Sequence, residues 1–208
     1  MMIETLFAMD PVVLVTFIGA SVLLILTPGA DMMFAIASGM SGGTKVGIAA
    51  AAGISLGTFF HTSLAAAGLA AIVAASPATL EIIKYIGAAY LAYLAYNTWT
   101  AKPEDGETVA RQSLSAAFQR GFLTNILNPK VILFILAFLP QFTNPANGPV
   151  WHQIIILGII FAIETMIFKT IYGVSAGAMA SRVRRHAKLM NKISATVFGG
   201  LAARLALS

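Results

Sequence analysis

From Lys45 to Ala75 the chain runs without another Asp, Glu, Lys or Arg. A run of that length crosses a bilayer with tilt, since a spanning helix needs about 20 apolar residues. Such runs recur throughout the 208 residues, of which 58% are hydrophobic and only 10% charged. A soluble domain carries about a quarter charged residues. The apolar share, 58% of 208 or about 120 residues, suffices for about six spanning helices. This excludes an ordinary soluble globule, a disordered chain and a disulfide-stapled secreted module. No cysteine is present, which removes thiolate metal sites and thiol redox chemistry.

Six segments are predicted. The first begins at Asp10-Pro11, an N-cap and a proline at the first helical position. Its run from Val12 to Leu26 covers 15 residues, about 22 Å, too short for a hydrocarbon core of about 30 Å. Thr27-Pro28-Gly29-Ala30-Asp31 interrupts it, and apolar character resumes from Met32 to Ala37. The second segment runs from Thr44-Lys45 to Ala75, before Ser76-Pro77. The third follows a Thr79 cap, from Leu80 to Trp99, with aromatic residues at both ends. Residues 100–115 form a polar linker. The fourth runs from Ala116 to Leu139, broken at Asn128-Pro129-Lys130 and stopped at Pro140. The fifth runs from Trp151 to Val174. A basic loop follows, and the sixth runs from Leu189 to Leu207. Glu4 and Asp10 precede the first run with no Lys or Arg, so a secretory signal peptide is not expected.

The net charge is +5, but its placement says more than its sum. The loops after segments one, three and five hold Lys45; Lys102, Arg111 and Arg120; and Arg182, Arg184, Arg185, Lys188 and Lys192. The loop between segments two and three offers Lys84, and the one between four and five offers none. By the positive-inside rule this puts both termini outside the cytoplasm. Nucleic-acid binding is not expected, since no soluble domain carries the charge.

The linker divides the chain into two halves of three segments, so an internal repeat would be inverted in the membrane. Each half opens with a helix broken by proline, at Pro28 and Pro129, 101 residues apart in a chain of 208. Breaks leave backbone N–H and C=O groups unpaired, and hydrocarbon cannot satisfy them. They must face a cavity, a ligand or a packed neighbour, and paired breaks in matching positions point to a transporter's binding site. The fold expected is an all-α polytopic membrane protein, one transmembrane domain over residues 1–208.

Gly39, Gly43, Gly47, Gly53 and Gly57 repeat at close-packing spacing for membrane helices. Charged residues within segments are few, and those that stand out are Asp31, Lys130, Glu164, Lys169 and, near the C-terminus, Arg204. Each costs about 3 kcal/mol at mid-bilayer, which invites a functional reading. Glu164 is the hardest to explain otherwise, and five residues from Lys169 it shares no helix face with it. Lys169 has either a pathway role or that of a snorkelling side chain, and Arg204 fits an interface. His61 is either a proton relay or a hydrogen-bonded structural histidine. Gly173-Val174-Ser175-Ala176-Gly177 fits the nucleophile-elbow pattern, but on a membrane helix rather than at a strand–helix turn. An intramembrane enzyme would have only Ser175 and His61 as candidates. No ATP-binding loop or metal-ligand motif is present.

These residues together resemble the lysine exporter family, also called LysE/RhtB or homoserine/threonine resistance family, over essentially the whole chain. Thr27-Pro28-Gly29-Ala30-Asp31 stands where that family reads Thr-Pro-Gly-Pro, with Ala30 in place of the second proline. Gly87-Ala88-Ala89-Tyr90-Leu91, Asn125, Leu127-Asn128-Pro129-Lys130, Phe138-Leu139-Pro140-Gln141-Phe142 and Phe198-Gly199-Gly200-Leu201 also fit. The resemblance implies a bacterial inner-membrane exporter of amino acids or derivatives, driven by an ion gradient, homo-oligomeric, and without a cofactor or metal. The substrate and ion pathway expected on this basis passes Thr27, Pro28, Gly29, Asp31, Asn125, Asn128, Pro129, Lys130, Glu164 and Lys169, with His61 a candidate relay. The alternatives are export of another small solute or cation, or a membrane subunit with no transport of its own.

Overall fold

The computed structural model describes residues 2–75, 79–101 and 112–207. These are helical throughout, without a strand: α1 (Met2–Ala8), α2 (Pro11–Leu26), α3 (Ala30–Gly42), α4 (Thr44–Ala75), α5 (Thr79–Thr100), α6 (Leu114–Ile126), α7 (Pro129–Phe138), α8 (Val150–Val174) and α9 (Ala176–Leu207). Short 3-10 turns at Leu139–Phe142 and Pro145–Asn147 join α7 to α8. Ser76, Pro77, Lys102 and Arg111 lie outside the described residues.

Among the described residues, α8 and residues 44–68 of α4 are long and apolar enough to cross a membrane alone. Counting two bent pairs as one span each, α1 with α2 (94°) and α6 with Pro129–Phe142 (54°), raises the number to four. The exposed side chains suit a lipid environment. On α8, Ile159, Ile163, Ile167 and Ile171 recur every fourth residue and are exposed, whereas Thr165, Lys169 and Tyr172 are buried. This reverses the polarity of a soluble amphipathic helix.

Starts and stops follow local chemistry. Asp10 Oδ1 accepts from the Val12 amide at 2.7 Å and opens α2, with Pro11 first in the helix. Ser113 caps α6, its hydroxyl oxygen accepting from the Ala116 amide.

Three expectations need correction. The first helix is α1, seven residues placed before Asp10-Pro11 and too short to show a period. The basic stretch expected as a loop is helical, since α9 starts at Ala176 and runs 32 residues through Arg182, Arg185, Lys188 and Lys192. Arg and Lys are strong helix formers, so charge density marked the position without ending the helix. Gly43 is not part of a packing stripe: it has φ +79°, nothing within 4 Å of an added Cβ, and joins α3 to α4.

The other glycines of that series do serve close approach. An added Cβ on Gly47 would lie 2.8 Å from the Gly173 backbone, and one on Gly57 2.7 Å from Asn125 Oδ1. Gly39 and Gly53 meet the carbonyls of Gly173 and Phe118 just as closely. Thus α4 is pressed against α6 on one side and α8 on the other, the two most extensive pairings, followed by α5 with α9.

Two apolar cores result. One gathers Phe17, Leu91, Phe134, Phe138, Leu157 and Phe198 from α2, α5, α7, α8 and α9. The other gathers Met32, Ala35, Ala50, Ile54, Ala117 and Tyr172 from α3, α4, α6 and α8. Each broken helix therefore changes core at its break: α2 and α3 belong to different cores, as do α6 and α7.

Candidate functional site

The breaks lie where the cores meet. Pro28 lacks an N–H and its ring excludes a helical predecessor, so Thr27 is extended (φ −64°, ψ 121°) and α2 ends. Pro129 acts likewise on Asn128 (φ −79°, ψ 104°). Asn128 Oδ1 then accepts from the Lys130 amide at 3.1 Å and starts α7.

Each break presents a charge close behind its turn, Asp31 two residues past Gly29 and Lys130 directly after Pro129, and each reaches the other break. Asp31, in the first turn of α3, accepts a hydrogen bond from Asn125 Nδ2 of α6 at 2.7 Å. Lys130, in the first turn of α7, donates from Nζ to the Thr27 carbonyl at 3.0 Å and lies 3.4 Å from that of Leu24. Lys169 of α8 donates to the Ile25 carbonyl at 3.1 Å. Two ammonium groups thus meet the carbonyls that the end of α2 leaves orphaned, and an anion sits at the start of α3. Both signs suit the helix dipoles. Lys169 is 4% exposed, which rules out a snorkelling side chain.

Thr27, Asp31, Thr58, Lys130, Thr165 and Lys169 line a cavity of about 30 Å³ between the breaks. That holds one or two waters. Asp31 is 7% exposed, and its Oδ1 has no hydrogen-bond partner among the described residues. Gly29 and Asn128 also border this space. His61 approaches from behind, Nε2 3.4 Å from the Asn125 carbonyl oxygen. A larger chamber of about 240 Å³ adjoins the breaks on the other side, between Pro28, Pro129, Lys130, Tyr90, Tyr93 and Asn191.

Glu164 is not in this group. It faces α2, where Ser21 Oγ donates to its Oε2 at 2.5 Å. Ser175 stands at the joint of α8 and α9, a helix–helix connection in which Gly173 packs on Gly47. Among the described residues no three His, Asp or Glu side chains gather to hold a metal.

Thr58, Thr165, Asn191 and Ser194, whose hydroxyl lies 2.7 Å from that of Thr27, are not singled out by the sequence. Hydroxyl residues are common within membrane helices, where they bond their own backbone as Ser21 does to Phe17. Only the tertiary structure separates these uses.

The arrangement is that of an all-helical membrane protein whose two interrupted helices meet around buried charges. Over residues 22–208 the chain matches the family described as LysE type translocator, and it belongs to that family. It is 33% identical to the homoserine/homoserine lactone efflux protein of Salmonella typhimurium over 190 residues, 89% of this chain and 92% of that protein. It is 30% identical to the leucine efflux protein of Klebsiella pneumoniae over 200 residues, 92% and 93% of the two chains. An uncharacterized membrane protein of Vibrio cholerae is 32% identical over 206 residues, 95% and 98%. No solved structure matches.

Proposed function

We propose that the chain is a secondary exporter of amino acids or their derivatives across the bacterial cytoplasmic membrane, driven by an ion gradient. The observation that carries this reading is the reciprocal contact of the two breaks, Asp31 with Asn125 and Lys130 with Thr27, around a buried carboxylate oxygen that has no partner among the described residues. The printed activities of the Salmonella and Klebsiella relatives, efflux of homoserine or its lactone and of leucine, favour the same substrate class.

Six spans fit this reading: α2–α3, α4, α5, α6–α7, α8 and α9, as two inverted halves with both termini outside. The basic residues of α9 and Lys45 at the start of α4 then face the cytoplasm. Substrate carboxylate competes with the α2 carbonyls for Lys130, so its arrival loosens the tie between the breaks. Asp31 takes the substrate ammonium or the coupling proton, and Glu164, held by Ser21, is the second candidate for the proton. His61 and Lys169 support Asn125 and the α2 terminus.

The test is uptake of a panel of radiolabelled amino acids into inverted vesicles, with and without a proton gradient. Gradient-dependent uptake is expected, reduced at least about tenfold by Asp31→Asn or Glu164→Gln at matched expression, a loss of about 1.4 kcal/mol. Wild-type rates in both variants refute the acidic assignments. A reconstituted protein that moves no solute refutes the exporter.

A further inference from the structure

The cavity at Asp31, about 30 Å³, has room for one or two waters and is too small for an amino acid. Larger chambers lie elsewhere among the described residues, and two of them share three stretches of chain: α2 or its C-cap, α7 or the turn that follows it, and α9. The first, about 240 Å³, is bordered by Thr27 at the end of α2, Leu133 on α7 and Asn191 on α9, with Tyr90 and Tyr93 of α5. The second, about 190 Å³, is bordered by Thr16 on α2, Gln141 beyond α7 and Leu201 on α9. From Thr27 back to Thr16 is 11 residues, and from Asn191 to Leu201 is 10. At 1.5 Å each, both paths are about 15 Å long. The stretches of α7 and α9 run from the first chamber to the second, and α2 runs the opposite way between the same two.

Phenylalanines fill the interval. Phe142 borders the second chamber and lies 4.5 Å from Phe138, ring centre to ring centre. Phe138 is 4.3 Å from Phe134, which follows Leu133 of the first chamber. Phe17 and Phe198 close the sides, at 6.0 Å from Phe138 and 6.5 Å from Phe134. Phe17, Phe134, Phe138 and Phe198 have no exposed surface.

Each chamber combines an apolar wall with a polar group suited to an amino-acid head. In the first, Asn191 is 4% exposed and its Oδ1 has no hydrogen-bond partner among the described residues, an acceptor for a substrate ammonium. Lys130 supplies positive charge for the carboxylate, while Tyr90, Tyr93 and Leu133 offer surface to a side chain. In the second, the exposed guanidinium of Arg204 stands with Thr16 and Gln141, a donor set matched to a carboxylate.

We propose that the transported amino acid crosses along the seam of α2, α7 and α9, held first in the Asn191 chamber and last in the Arg204 chamber, with the phenylalanine stack as the barrier between them. This rests on the exporter reading, and it separates the substrate's route from the Asp31 cavity, whose size suits a proton and its water.

The chain has no cysteine, so single cysteines report position directly. Asn97→Cys, in the wall of the first chamber, and Thr16→Cys, in the second, are labelled with a membrane-impermeant maleimide in right-side-out and inverted vesicles. L-leucine, L-homoserine and L-lysine serve as protecting probes. Opposite sidedness is expected, with labelling of both sites slowed at least about threefold by whichever probe wild-type protein transports in the same vesicles. Arg204→Gln raises the concentration needed to protect Thr16→Cys about tenfold, and Arg204→Lys restores part of it. Labelling of both sites from one side, or transport without protection, overturns the route and leaves the exporter standing. Absence of wild-type transport overturns the exporter, while sidedness still tests the seam.

Discussion

Replacing Gly47 by alanine tests the close helix pairing at the centre of the fold. The added Cβ would stand 2.8 Å from the carbonyl carbon, Cα and oxygen of Gly173. Carbon contacts settle at about 3.5–4.0 Å, so α4 and α8 must part by about 1 Å. The obstacle is backbone, which cannot rotate aside as a side chain would. Overpacking of this kind costs about 1–3 kcal/mol. Alanine also returns up to about 1 kcal/mol of helix propensity, which masks part of the loss. Gly19 isolates that gain: it lies within α2 with nothing within 4 Å of an added Cβ. Gly47→Ala should therefore be less stable than Gly19→Ala by about 1–3 kcal/mol. For a chain of this length that separates the midpoints by about 2–12 °C, at about 2–4 °C per kcal/mol. Thermal unfolding of both purified variants in detergent measures it. The double variant Gly47→Ala, Gly173→Ala should lose less than the sum of the singles, since the first methyl already opens the gap. A Gly47→Ala midpoint equal to or above that of Gly19→Ala refutes the backbone contact.

Other changes separate stability from transport. Asn125→Leu strips the Asp31 carboxylate of its hydrogen bond and should cost about 2–3 kcal/mol in the same unfolding assay; an unchanged midpoint counts against the pairing. Lys130→Met leaves the Thr27 carbonyl without its ammonium donor and should lower stability by about 1 kcal/mol; a rise would refute that tie. Lys169→Met removes a buried ammonium together with its desolvation cost, so stability should change by less than about 1 kcal/mol. Export should nonetheless fall at least about tenfold if the charge serves transport. Ser21→Ala should alter the pH profile of export by freeing Glu164, with the rest of the site intact; an identical profile removes Glu164 from proton coupling.

Both helix breaks were legible in the sequence because proline acts on its immediate neighbours. Thr27 and Asn128 are extended for the reason their successors dictate, whatever surrounds them. The helical run of α4 was legible for a similar reason, since its 32 residues follow from apolarity alone. The basic start of α9 was misread, because positive charge reports membrane side and not backbone conformation. What no local signal contained was the meeting of the breaks. Asp31 and Asn125 lie 94 residues apart, and Lys130 reaches back 103 residues to Thr27. The sequence marked Lys130 as a charge in search of a partner, yet the partner is a carbonyl, which every residue owns. Asn191 and Ser194 carried no distinguishing pattern, being polar residues in a helix that is polar along much of its length.

The unbroken course of α9 has a mechanical consequence. Its 32 residues extend about 48 Å, against a hydrocarbon thickness of about 30 Å. On the six-span reading, more than a third of it stands in or beyond the headgroups, and that part carries Arg182, Arg185 and Lys188. Anionic lipid pulls on each such charge with about 1 kcal/mol. The pull acts on one end of a long helix whose other end holds Phe198 and Arg204. On that reading the charge of the inner leaflet would set the lean of α9, and with it the spacing of the wall that Phe198 forms. Export from vesicles of neutral lipid should be measurably slower than from vesicles containing an anionic phospholipid, and equal rates would show that the helix bears no such load.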